Sequence, residues 1–343
     1  MSLINRRQFT AGLLAGGAAM TALPRRASAD GSMVFLTDWK AQAEHGGFYA
    51  AKALDLYRKH GLDLELRQGG PSQNTQQLMA AGAVDLALGS SNFFLLNMIQ
   101  VGATVKAVAA FFQKDAAVLM VHPDSGINSV ADMAGHPIYV SPGGVVSNYL
   151  FMKAKLGFTD EQLRPYNFNL APFLADKTSI QQGLLSSEPF TAKKEGGVDT
   201  KVFLLADSGY STYANLILAS HKTLAERKDR VQAFVNASIE GWNEYLYGNP
   251  EAANALIKQD NPEMTDELLA YSRSKMLEYG IVDSGDSLQL GLGAMTDARW
   301  KDFYDVMVTA KVYPSDLDYK SAFVTDFVNK GFGLDQKAAL TRK

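Results

Sequence analysis

The hydrophobic pattern of the 343-residue chain changes character near residue 222, and that change constrains the fold more than any motif does. Up to there, short apolar runs alternate with amphipathic stretches of helical period. Beyond it the pattern is helical almost throughout. The first series reads as strand 33–36, helix 46–60 ended by Gly61, a period-2 strand over 62–67, and helix 73–81 closed by Gly82. Strand 84–88, helix 92–100 and strand 105–111 follow. Such alternation predicts a mostly parallel sheet covered by helices.

A second series opens with a strand at 118–121. Ser129 and Asp132 have the spacing of a capping box for a short helix ending at Gly135, and strand 138–140 comes next. The pattern then predicts helix 145–156, loop plus strand over 162–169, a helix running into a short strand across 176–185, and strands 202–205 and 213–219. Helices are predicted at 222–247, 250–259, 265–279, 294–311 and 319–330. These late helices have no sheet of their own to cover, and the first series is short for an independent domain. Both difficulties vanish if the chain leaves a first lobe, builds a second and returns. The predicted fold is therefore α/β and two-lobed, each lobe a mostly parallel sheet flanked by helices. Lobe 1 takes residues 30–113 and 214–343, lobe 2 takes 114–213, hinges lie near 113–116 and 208–213, and a ligand cleft lies between the lobes.

Residues 1–29 carry a different signal. Arg6-Arg7-Gln8-Phe9 precedes an apolar stretch from Thr10 to Leu23, followed by Arg25-Arg26 and Ala27-Ser28-Ala29. A charged start, short apolar middle and small-x-small site read as a secretory leader of the twin-arginine type, cleaved near Ala29. About 14 apolar residues fall short of the roughly 20 a spanning helix needs. Export to the periplasm is the expectation. The whole chain has 33 basic and 36 acidic residues; the leader removes four arginines and no acid, leaving a net charge of -7. No basic field remains for a nucleic-acid backbone. The absence of cysteine excludes disulfides, thiolate metal sites, Fe–S clusters, a cysteine nucleophile and lipidation at cysteine.

Several motifs carry a family likeness. Asp38-Trp39, then Glu44-His45-Gly46-Gly47-Phe48-Tyr49-Ala50-Ala51, Gly61-Leu62-Asp63-Leu64 and Gly69-Gly70 stand in order. Ala81-Gly82-Ala83-Val84-Asp85, Ser129 to Gly135 and Ser187-Glu188-Pro189-Phe190 follow. The chain resembles periplasmic substrate-binding proteins of ABC transporters, of the nitrate/sulfonate/taurine and thiamine-precursor (pyrimidine) type. The resemblance implies a hinge-closing, Venus-flytrap binding protein that delivers a small molecule to a permease and ATPase complex. Trp39 and the His45-Gly46 pair are most similar to the pyrimidine-binding branch. That branch has enzymatic relatives with a cysteine-rich iron motif, which a chain without cysteine cannot supply.

The candidate ligand-binding residues sit where strands meet helices, the edge at which open α/β sheets hold ligands. Trp39 offers a ring to stack on a flat heterocycle, worth about 0.5–1.5 kcal/mol beyond burial. His45 can donate or accept a hydrogen bond beside a helix start, or be a satisfied loop residue. Gly70 lets the backbone approach a ligand, while Ser72 and Asn74 next to it are read as helix caps. Ser90, Ser91 and Asn92 follow a strand as polar contacts or caps. Ser141, Gly143, Gly144 and Val145 form a glycine-rich turn before helical N–H groups, a cradle for an anion or a carbonyl oxygen. Glu188 either accepts from a ring N–H or answers the helix dipole. Asp207 and Tyr210, with Tyr213, sit on the return hinge.

No Walker loop, G-x-G-x-x-G fingerprint, H-x-x-x-H pair or G-x-S-x-G elbow is present. The reading is thus a monomeric binding protein rather than an enzyme, with no cofactor, no metal and no nucleic-acid partner. Its ligand is a pyrimidine or related N-heterocycle. The alternatives are a sulfonate- or nitrate-type oxyanion, or a twin-arginine-exported enzyme with a bound cofactor.

Overall fold

The computed structural model describes residues 32–70 and 73–342. The leader and Ser72 lie outside the described residues. Ten strands form two five-stranded sheets. The first contains Met33–Leu36 (β1), Leu64–Arg67 (β2), Leu86–Ser91 (β3), Val105–Phe112 (β4) and Ala214–Ser220 (β10), in the order β2-β1-β3-β10-β4. The second contains Ala117–Val121 (β5), Ile138–Val140 (β6), Leu163–Pro165 (β7), Ile180–Leu184 (β8) and Lys201–Leu204 (β9), in the order β7-β6-β8-β5-β9.

Each sheet holds one strand that runs against the rest, and each such strand adjoins a crossing between the lobes. β10 lies antiparallel between β3 and β4, pairing Ala214 with Ser91 on one side and with Phe112 on the other. β5 lies antiparallel between β8 and β9. The sheets are therefore mixed, a refinement of the mostly parallel expectation. The returning strand takes an interior place between β3 and β4 rather than an edge of the sheet. Burial fits that place: six of the seven β10 residues are buried, and their apolar run suits an interior strand.

Both crossings are tied to lobe 1. The first, 113–116, is held by Gln113 N on Ile281 O at 2.7 Å and Gln113 Nε2 on Ala294 O at 2.9 Å. Arg299 spans the two crossings: its guanidinium donates to Ser211 O at 3.0 Å and also to Gln113 O. Arg299 belongs to the late helix Asp297–Thr309. Some late helices thus serve the crossings, while Lys228–Tyr247 packs on the first sheet's helices.

The structure departs from five predicted helices, the mildest being 222–247, which is split at Arg227 into His221–Glu226 and Lys228–Tyr247. Predicted helix 46–60 is broken into Gly46–Ala53 (α1) and Leu56–Lys59, with Asp55 at φ 59° between them. Predicted helix 145–156 becomes Pro142–Val145 and Asn148–Lys155 (α2), parted at Val146 and Ser147. The helix placed within 176–185 is instead Ala171–Ala175, and Ile180–Leu184 is all strand. Residues 319–330 keep only a single 3-10 turn, Tyr319–Ala322. There tertiary contacts override local periodicity: Phe323 bridges to Ala107 of β4, and its ring stacks on Trp300 at 4.9 Å.

Candidate ligand cleft between the two sheets

A cavity of about 480 Å³, within the usual range for a small-molecule site, lies where the ends of strands from both sheets converge. Residues just past β1 and at the end of β3 meet residues just past β6, β7, β8 and β9 there. Of the thirteen candidate residues, Trp39, Ser90, Ser91, Ser141, Gly143, Gly144, Glu188 and Tyr210 line it. His45, Gly70, Asn92, Val145 and Asp207 do not.

Trp39 is half-buried and its ring lies 6.2 Å from that of Phe168 in the other lobe. Its loop is fixed by Thr37, whose hydroxyl donates to Trp39 O at 2.7 Å, and by Gly69 N on the same carbonyl at 3.1 Å. Gly69 is required there, because a Cβ would stand 2.3 Å from Thr37 O. Gly70 borders a separate surface depression with Lys40 and Glu263. Gly69 alone thus shapes the Trp39 loop from behind.

His45 is interior. Its side chain is 1% exposed, with Nε2 at 3.1 Å from Asp38 Oδ1. Glu44 beside it is buried, and burial raises its pKa despite the hydrogen bond from Ser186 Oγ of the other lobe. Ser186 O in turn accepts from Ser272 Oγ at 2.6 Å. Glu44, Ser186 and Ser272 form a buried polar seam joining the lobes. Gly46 and Gly47 admit the helix Lys228–Tyr247 (α3), since a Cβ on Gly47 would lie 2.1 Å from the Trp242 ring.

The polar wall is built from caps. Ser91 Oγ accepts from Phe94 N at 3.5 Å, while Asn92 turns behind the wall, its backbone N on Thr212 Oγ1 at 3.1 Å. Both atoms of the Asn92 amide are buried without a partner among the described residues. Ser141 Oγ accepts from Gly144 N at 3.2 Å, so it caps and faces the cavity at once. Val145 points elsewhere, and Val146, Ser147 and Asn148 take its place on the wall. The break between the two short helices turns those side chains inward.

Glu188 is heavily engaged. Its Oε1 accepts from Tyr166 OH at 3.2 Å and its Oε2 from Leu184 N at 2.8 Å and from Ser187 Oγ. Asp207 is exposed and paired with Lys114 at 3.0 Å, a link between the crossings away from the cavity. Tyr210 is buried against Phe151 at 5.0 Å, and burial together with Asp115 holds its hydroxyl well above the ordinary pKa. Tyr213 is buried beneath Arg299, 4.3 Å from the guanidinium, and serves the crossing.

Asp115 is one cavity residue that sequence reasoning missed. It lies on the first crossing and lines the cavity, and burial pushes its carboxyl up to about 6. Its predicted place in the hinge near 113–116 was a usable signal, but no motif marks it. Phe168 was also missed; it holds φ 59° and 67% exposure over the cavity mouth. No lysine or arginine is among the described residues that line the cavity. Among the described residues no cluster of three or more His, Asp or Glu is placed to hold a metal, and no helix is long and apolar enough to cross a membrane.

The family model described as NMT1/THI5 like matches residues 42–253, more than half of the chain. The chain belongs to the NMT1/THI5-like family. It is 26% identical to the formylaminopyrimidine-binding protein of Halalkalibacterium halodurans over 71% of this chain and 76% of that one. It is 24% identical to a putative thiamine biosynthesis protein of Haemophilus influenzae over 68% of this chain and 75% of the relative. The fold is shared with the periplasmic aliphatic sulphonate binding protein SsuA of Escherichia coli, at a TM-score of 0.64 and 14% identity, covering 86% of this chain and 92% of SsuA. These likenesses agree with the two-lobed architecture of periplasmic binding proteins.

Proposed function

We propose that the protein is the solute-binding component of an ABC importer and captures a pyrimidine or related N-heterocycle by closure of its lobes. The observation that carries this reading is the chemistry of the cavity wall. Aromatic rings of Trp39, Phe168 and Tyr210 stand with the carboxyl groups of Asp115 and Glu188, and no lysine or arginine is among the described residues that line the space. A flat ring bearing N–H donors suits such a wall. A sulfonate or nitrate would meet two acids with no compensating charge, a costly burial. The curated relative named for binding formylaminopyrimidine supports the same class.

In this reading Trp39 stacks on the ring. Ser90, Ser91, Ser141, Gly143 and Gly144 hold its polar edge, and Glu188 and Tyr210 close the remaining sides. Lobe 1 comprises 30–113 and 214–343, lobe 2 comprises 114–213, and the crossings at 113–116 and 208–213 act as hinges. A ligand touching both lobes favours the closed form by its differential affinity. Residues 1–29 direct export by the twin-arginine route, and the mature monomer hands its ligand to a permease and ATPase complex. The reading is one of binding, not catalysis. Isothermal titration calorimetry with a formylaminopyrimidine and with taurine tests it. Saturable binding of the first alone is expected; binding of taurine alone, or turnover of either compound, would overturn it.

A further inference from the structure

We propose that Asp115, and not Glu188, is the acceptor that selects the ligand's amino group, making Asp115 the specificity-determining residue of the cleft. This rests on the pyrimidine reading and goes beyond it by assigning the N–H recognition to a residue of the crossing. The two carboxylates of the cavity differ in what they have left to give. Glu188 already accepts at both oxygens, from Tyr166 OH, Leu184 N and Ser187 Oγ. Asp115 accepts at Oδ1 alone, from Ala117 N at 2.8 Å, and its second oxygen has no partner among the described residues. Asp115 is half-buried and lines the cavity, and an oxygen left there without a protein donor is one that a ligand N–H can satisfy once closure removes water from it.

The charges nearest Asp115 along the crossings are already committed. Lys114 pairs outward with Asp207, and the Arg299 guanidinium is spent on the carbonyls of Gln113, Ser211 and Thr212. From the second crossing Tyr210 faces it with a neutral hydroxyl. Burial without a counter-charge is what pushes the Asp115 carboxyl up to about 6, so at neutral pH the group is mainly ionised and still unpaired. An incoming amino group supplies the missing donor in a low-dielectric site, where a charge-assisted hydrogen bond is strong. Because Asp115 lies on the crossing, ligand recognition and lobe closure meet at one residue.

The test compares 4-amino-2-methylpyrimidine with 2,4-dimethylpyrimidine, which replaces the amino group by a methyl of similar size. Calorimetry at pH 7.5 on the purified protein is expected to show a preference for the amino compound of about 10- to 100-fold. Asp115→Asn keeps an acceptor for Ala117 N and matches the side chain in shape. It is expected to cut that preference to within a few fold while affinity for the dimethyl compound holds, which also reports an intact fold. An unchanged preference in Asp115→Asn would overturn the assignment, as would equal binding of the two compounds by the wild type. Failure of the wild type to bind either compound would instead overturn the pyrimidine reading.

Discussion

Two glycine pairs open helices in this chain, Gly46-Gly47 in lobe 1 and Gly143-Gly144 in lobe 2; Gly144 is packed, with an added Cβ 2.8 Å from Val140, but Gly143 does the opposite of the first pair. Gly46 and Gly47 are buried because another helix needs their space: added Cβ atoms would stand 2.2 Å from Tyr245 and 2.1 Å from Trp242. Gly143 faces the cleft with nothing within 4 Å of an added Cβ. The difference teaches that a glycine-rich turn before a helix marks close approach of something, and that the sequence does not say whether that is a ligand or the protein's own core. His45 went inside with its glycines; Ser141 stayed at the cavity wall beside an exposed Gly143.

Substituting the two pairs gives the sharpest contrast. Gly47→Ala should lose about 3 kcal/mol of stability in urea unfolding, because the Trp242 indole is locked among Phe48, Phe111 and Phe112 and cannot retreat. Gly143→Ala should stay within about 0.5 kcal/mol of wild type. Equal losses would erase the distinction between the pairs.

A second test probes the cost of the cleft carboxylate. The Asp115 value of about 6 lies above the ordinary 3.8, so the folded state binds the proton more tightly than the unfolded state. Stability from this group is greatest below about pH 4 and falls as pH rises through 6. Asp115→Asn should therefore gain about 2 kcal/mol at pH 7 and nothing at pH 4, a figure discounted because one face of the group meets the cavity. Thermal unfolding across that range would show it; a gain independent of pH would contradict the linkage. Glu44, also raised by burial, should add a slope of the same sign.

On the ligand side, Trp39→Ala should weaken pyrimidine binding about 10-fold or more in calorimetry, since it removes both stacking and apolar area. His45→Asn is expected to leave affinity within about 3-fold and to cost about 1 kcal/mol of stability through the lost Asp38 contact. A larger affinity loss for His45 than for Trp39 would return the interior histidine to the site. Ser141→Ala should cost about 1 kcal/mol of stability in urea unfolding, from the lost helix cap.

Much of the frame was legible because it depends on local spacing. Helix Asn92–Gln100 and strand β6 stand where the apolar periods place them, and the Ser129–Asp132 capping box closes as its spacing requires. Trp39, Ser90 and Glu188 reach the cleft because the ends of strands converge there. Phe168 was illegible: a positive φ in a bulky residue has no sequence marker. The break at Val146 and Ser147, which exposes Ser147 and Asn148 to the cavity, is likewise invisible in an unbroken helical period.

The sequence by itself determined the inventory: an α/β pattern interrupted by a helical tail, no cysteine chemistry, and polar and aromatic residues at the strand ends. Those follow from side-chain period and atom type, which need no tertiary partner. Only the tertiary structure decided that β10 inserts between β3 and β4, that Gly47 yields to Trp242, and that Asp115 keeps one oxygen unpartnered. Each is a question of which distant residue arrives first at a given space. Residues more than 100 positions apart settle it by packing, where local propensity has no voice.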